Sequence, residues 1–377
     1  MRKMLAVLIG CALIAMSVVA HAEAVSPVYE LVAYDENRIL ITESDGAREM
    51  DAALYALSDG RAVKQWDYRI KSDSYLSALG LPAINRVVLY SQNGLVMLSD
   101  AGEVVSEMSF DGAKFSMPIV SPGRKAAVMF GRDRERFLLI DADGAKAIPT
   151  AVEGERYPDV AVMMQKQMPV LLDDDGRLYV SAERADGYWW RDVEGHWTLI
   201  EGEGALLCVA ADGAWTLNKR MICFPDGQRL ELPKPRGKYQ IQTWHHGGAI
   251  IIDEHKSSLR PHASLIINGR DRQFGTWKST QVDGFTLASA DMRYLLNPST
   301  WDDDGPELHG VWVNGEGGKR LERKIMQMVS PSYNLSGSMV LMNDGGALCL
   351  GEGEDEGSFG LWRLDMHTGE YTLIPFA

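Results

Sequence analysis

Short apolar runs rich in Val, Ile, Leu, Tyr and Trp recur from Val28 to the end of the chain, each closed off by a polar turn. The turns include Asp45-Gly46, Asp59-Gly60, Asn93-Gly94, Asp111-Gly112, Asp143-Gly144, Asp175-Gly176, Asp212-Gly213, Asp226-Gly227 and Asp344-Gly345. Such pairs supply the positive φ that tight hairpins demand. Beyond the first 22 residues, no stretch holds an apolar period of about 3.6 over the ~10–12 residues a helix needs. The pattern predicts an almost wholly antiparallel β protein.

The runs group into a four-strand unit that begins anew near Tyr29, Asp73, Phe115, Tyr157, Gly204, Tyr239, Gly284 and Gln327. Spread over the 350 residues from Val28 to Ala377, eight units take about 44 residues each, the length of a four-stranded propeller blade. A ring of such sheets buries both faces of each against its neighbours and leaves only short outer edges exposed. The expected fold is therefore an all-β propeller of about eight blades. Seven is the alternative, if the short fifth unit merges with a neighbour. The fourth unit is longer than the rest, and its hairpin from Tyr188-Trp189-Trp190 to Trp197 reads as an insertion.

Three segments resemble the TolB-type propeller repeat: Ser121-Pro122-Gly123-Arg124-Lys125, Ala288-Ser289-Ala290-Asp291-Met292-Arg293-Tyr294, and Leu361-Trp362-Arg363-Leu364-Asp365 with Met366-His367-Thr368-Gly369-Glu370. Leu54-Tyr55-Ala56-Leu57-Ser58-Asp59-Gly60 leading to Trp66 is similar instead to the quinoprotein-type repeat of quinone dehydrogenases and outer-membrane assembly propellers. The resemblance spans about half of the repeats and implies the propeller class. Most repeats lack the closing Trp of the second type, and several lack the Ser-Pro-Asp-Gly core of the first.

The N-terminus changes the compartment. Arg2 and Lys3, an apolar run from Met4 to Ala20, and Ala20-His21-Ala22 form the three parts of a cleavable secretory signal. Residues 1–22 are thus expected to be a signal peptide and residues 23–377 a single propeller domain, periplasmic or secreted, with no transmembrane segment in the mature chain. A lipoprotein anchored through Cys11, after Leu8-Ile9-Gly10, is the alternative. Of the other cysteines, Cys208 and Cys223 look like a pair. The Asp212-Gly213 turn, however, sets Cys208 opposite Leu217 and Cys223 one strand further, about 9.6 Å away, beyond bridging reach. Buried free thiols are expected.

A formal charge of −14 argues against nucleic acid and anionic lipid as partners. Acidic clusters at Asp141-Ala142-Asp143, Asp173-Asp174-Asp175, Asp302-Asp303-Asp304 and Glu352 to Glu356 offer a weak divalent-cation option, but none follows the calcium-loop spacing, and no other cofactor is indicated. His245 and His246 are adjacent in a strand and point to opposite faces, with His255 and His262 nearby in sequence. Asn334-Leu335-Ser336-Gly337-Ser338 lacks the first glycine of a nucleophile elbow and precedes a strand. A catalytic residue set is not defined, and enzymatic function is the less favoured reading.

What remains is a binding surface. The hairpin from Glu183 to Trp197 gathers Tyr188, Trp189, Trp190, Arg191 and Trp197, and Trp, Tyr and Arg are the types enriched in binding hot spots. A packing role for the same rings at the blade edge is the competing reading. The sequence points to a non-catalytic binding or assembly scaffold of the bacterial envelope that takes a protein, peptide or glycan. A lyase or hydrolase with a pocket at the central channel, and a sensory or receptor module, are the alternatives. The oligomeric state is not indicated.

Overall fold

The computed structural model describes residues 28–377 apart from 45–48, 72–76, 92, 132–134, 166–168, 183–186, 235–237, 245–247, 255–263, 268–273, 278–286, 290–293, 303–304, 313–318, 322–326, 329–338 and 353–359. The signal segment with Cys11, His245, His246, His255, His262, most of the last two acidic clusters and the Ser336 segment therefore lie outside the described residues. Among the described residues the strands pair into eight antiparallel sheets, seven of four strands and one of five. The four-stranded sheets are simple meanders, with chain neighbours paired in order.

Where the side chains are described, successive sheets pack face to face. Leu40, Leu54, Val87 and Leu89 join the first sheet to the second, and Met97, Met129 and Leu138 join the second to the third. Phe130, Phe137, Leu172 and Val180 join the third to the fourth, and Leu171, Leu206 and Val209 the fourth to the fifth. The last sheet packs on the first through Leu348, Leu350 and Leu361 against Leu31, Ile39 and Ile41. Residues 375–377 return to the outer strand of the first sheet, Arg61–Lys71, where Ala62 N–H donates to Pro375 O at 3.0 Å and Ala377 N–H to Ala62 O at 2.9 Å. A meander sheet repeated in sequence order, with the last sheet packed on the first, is a β-propeller.

The turn chemistry explains why the unit repeats. Ser58 pairs with Arg61, so Asp59 and Gly60 sit at the hairpin centre, both at positive φ (51° and 71°). A second design closes hairpins at Ser99, Asp173, Asp192, Phe224 and Met342. In each, the residue's N–H donates to the carbonyl four positions on, and the N–H three positions on donates back to it. Each places a glycine at positive φ in the fourth position: Gly102, Gly176, Gly195, Gly227 and Gly345. Asp173 Oδ1 accepts the N–H groups of Asp175 and Arg177 and Asp192 Oδ1 those of Gly195 and His196, so these carboxylates build turns. Among the described residues no group of three or more His, Cys, Asp and Glu side chains is placed to hold a metal ion.

Two local readings are corrected. The tryptophan hairpin is no insertion: Gly187–Arg191 and Trp197–Glu201 are the two outer strands of the fourth sheet, whose inner strands are Val170–Leu172 and Leu178–Ser181. The extra length lies before them, in a connection that carries a six-residue helix, Val160–Gln165. Asp159 caps it, its Oδ1 accepting Val162 N–H at 3.1 Å, and Val160 and Met163 bury against the third and fourth sheets. So short a helix leaves no period to read. Around the cysteines, a register shift between Leu206 and Cys208 puts Cys208 opposite Trp215 and Leu217 opposite Ala205. Among the described residues the three cysteines are free; Cys208 and Cys349 are buried, while Cys223 is only partly so.

Glu30 stands on the first strand of the first sheet, and its Oε2 accepts Ala78 N–H from the second sheet at 3.1 Å. Burial raises its pKa from 4.5 to about 7, against the opposing hydrogen bonds from Ala78 and Ser77. The folded chain therefore holds this proton more tightly than the unfolded chain. The contribution of Glu30 to stability is fully present below the unfolded pKa of 4.5 and is lost as pH rises through about 7. Glu30→Gln is expected to raise unfolding free energy at pH 8 by roughly 1–3 kcal/mol and to leave it nearly unchanged at pH 4.5. Urea melts at the two pH values check this; an equal effect at both would show that Glu30 is not the titrating group.

Candidate functional site

The fifth sheet is cut short at its outer side, where Met221–Cys223 and Arg229–Glu231 are strands of three residues. The outer strands of the fourth sheet run five residues each. The difference opens a cleft of about 1080 Å³ between the two sheets. Tyr179, Tyr188, Trp190 and Ile200 line its fourth-sheet wall, and Thr216, Met221, Cys223 and Phe224 its fifth-sheet wall, with Arg177, Glu203, Lys219, Arg220 and Arg229 as its charged lining.

Strand alternation divides the five sequence-selected residues between two faces. Tyr188 and Trp190 face the fifth sheet and join the Tyr179 cluster there, with the Tyr179 and Tyr188 ring centroids 6.2 Å apart. Trp189 and Trp197 face the other way and pack on the third sheet. Arg191, paired across the strands with Trp197, goes with them and is 2% exposed. Its Nε donates to Thr150 O (3.2 Å), Nη2 to Pro149 O (3.0 Å) and Nη1 to Asp192 O (3.1 Å), while Trp197 Nε1 donates to Thr150 O at 2.8 Å. Burial lowers the Arg191 pKa, with Asp192 opposing. Arg191 and Trp197 thus tie the outer edge of the fourth sheet to the end of the third, and only Tyr188 and Trp190 of the five line the cleft.

The cleft's electrostatics come from residues that the sequence reading left out. Tyr179 O–H donates to Asp173 Oδ2 at 3.0 Å, and burial, reinforced by Asp173, pushes its pKa up. Burial first, and then the Glu203 carboxylate, raise that of Tyr188. Both phenols are neutral hydrogen-bond donors at pH 7. Partial burial works against the Arg177 guanidinium, yet Asp173 and Asp175 outweigh it and raise its pKa. Arg220 pairs with Glu231. Lys219 and Arg229 have no carboxylate partner among the described residues. The short fifth unit was the visible signal for this site, because a stunted blade leaves its neighbour's face uncovered.

The molecule is a β-propeller, and comparison with known proteins agrees at the level of fold. It is similar to apo AztD from Citrobacter koseri at 11% identity, covering 93% of this chain and 96% of that one, with a TM-score of 0.50. Dihydro-heme d1 dehydrogenase NirN in complex with DHE is similar at 13% identity, covering 93% and 73% of the two chains with a TM-score of 0.47. The Myceliophteria thermophila Cps50 (Swd1) β-propeller domain is similar at 11% identity, covering 86% and 94% with a TM-score of 0.45. No protein-family model matches the chain. A genome polyprotein of Passionfruit woodiness virus (strain Mild) is 28% identical over 89 residues, 22% of this chain, and the match spans 33% of that protein. Among the described residues no helix is long and apolar enough to cross a membrane.

Proposed function

We propose that the chain is an exported, non-catalytic binding propeller of the bacterial envelope, with eight blades corresponding to the eight sheets, and that it holds its partner in the cleft between the fourth and fifth sheets. The observation that carries this reading is the aromatic wall of Tyr179, Tyr188 and Trp190 facing a cleft large enough for a side-chain-bearing ligand, ringed by cationic side chains. The signal-type N-terminus, Arg2 to Ala22, supports export. The TolB-like and quinoprotein-like repeats support the propeller class. Among the described lining residues the cleft offers one carboxylate, Glu203, where glycoside hydrolysis uses two.

The test is a pull-down from envelope extract with the purified mature chain and its Tyr188→Ala/Trp190→Ala variant. The wild type is expected to retain a partner that the variant loses, with a binding loss of about 2 kcal/mol or more. A Trp189→Ala variant, altered on the opposite face, is expected to retain it. Equal retention by the cleft variant, or turnover of a screened substrate by the mature chain, would reverse the proposal.

A further inference from the structure

We infer that the occupant of this cleft is an extended peptide segment bearing a carboxylate, an assignment that rests on the cleft being the binding site. Tyr188 and Trp190 are alternate residues of one strand on one face. Alternate residues of an extended chain stand about 6.8 Å apart, so the two rings match the side-chain repeat of an extended peptide laid along them. Lys219 and Arg229 line the same cleft as two cations with no carboxylate partner among the described residues. A peptide carboxylate supplies the missing partner as a charge-assisted hydrogen bond. The chain as a whole is strongly acidic, which makes this cationic opening a local feature.

The turn that carries Lys219 adds to the argument. Asn218 pairs with Met221 across a two-residue turn in which Lys219 adopts φ 57°, a conformation that a glycine would take without strain. Lys219 keeps a charged side chain at the cleft mouth where the backbone favours having none. Lys219→Gly therefore separates the two roles: it relieves backbone strain and removes the charge.

The experiment measures fluorescence anisotropy of three labelled probes with the full mature chain. They are an octapeptide alternating Glu and Leu, the same peptide with Lys in place of Glu, and a glucuronate octamer. The Glu peptide is expected to bind at least tenfold tighter than the Lys peptide and the uronate. Lys219→Gly and Arg229→Gln are each expected to weaken it severalfold, the first with an unchanged or raised melting temperature. Binding of the uronate in preference to the Glu peptide, abolished by Tyr188→Ala/Trp190→Ala, would overturn the ligand class and keep the cleft. Failure of every probe to bind, or binding indifferent to that double variant, would overturn the ligand class together with the cleft assignment.

Discussion

Arg191→Ala is expected to lower unfolding free energy by about 3–5 kcal/mol, an effect typical of breaking a buried, hydrogen-bonded charge site. The carbonyls of Pro149 and Asp192 lose this donor while Thr150 O keeps Trp197 Nε1, and a buried acceptor left unpaired costs roughly 1–3 kcal/mol. The guanidinium also lies over the Phe137 ring, 5.7 Å from its centroid, and against Gly195, where an added Cβ would come within 3.1 Å of Nη2. Arg191→Lys is expected to recover little, because an ammonium cannot address carbonyls spread around a planar fork. Urea denaturation with an unchanged slope is the measurement. A variant as stable as the wild type but unable to retain the partner would return Arg191 to the binding surface.

Arg124→Met is expected to cost about 3 kcal/mol or more, and for a different reason. Arg124 sits in the turn before Ala127–Phe130 at φ 55°, and its side chain crosses the first three sheets. Nε and Nη2 donate to Gly80 O at 3.1 and 2.7 Å, Nη2 to Ala33 O at 2.7 Å and Nη1 to Tyr34 O at 2.8 Å. Burial lowers its pKa to about 10, with Tyr34 and Asp35 opposing. With a pKa of about 10 the guanidinium stays charged at neutral pH, and Met keeps the stem volume while removing every donor. Thermal denaturation checks the loss. Gly80→Ala should destabilise through the same contact, since a Cβ there would stand 2.8 Å from the Tyr34 ring and 3.0 Å from Arg124 Nη2.

The Arg124 site shows where sequence reading stops. The repeat was legible because hairpin glycines at fixed offsets need positive φ, and a strand run between them leaves little choice of element. Seven of the eight expected unit starts fall within a few residues of the first strand of a sheet, as Tyr29 does for Val28–Ala33 and Gln327 for Gln327–Met328. The exception, Tyr157, precedes Val170–Leu172 because a connection carrying the Val160–Gln165 helix stands between them, and a unit started at Tyr157 makes a regular outer hairpin look inserted. That Trp189 and Trp190 face opposite ways was legible from strand alternation. Which of them meets open space was not, because that depends on the length of the neighbouring sheet. Arg124 reaches Gly80 and Ala33 across 44 and 91 positions of sequence, and no local pattern encodes such a contact.

The cleft contains its own reporter. Cys223 lines it and is partly exposed, whereas Cys208 and Cys349 are buried, and burial pushes both of their thiol pKa values up. A thiol reagent applied to the folded mature chain should therefore modify Cys223 first, with Cys223→Ser as the blank. The decisive measurement is the alkylation rate of Cys223 with and without saturating amounts of the partner retained from envelope extract. Occupancy of the cleft predicts at least a tenfold slowing, and an unchanged rate with the partner bound would place the binding surface elsewhere on the propeller.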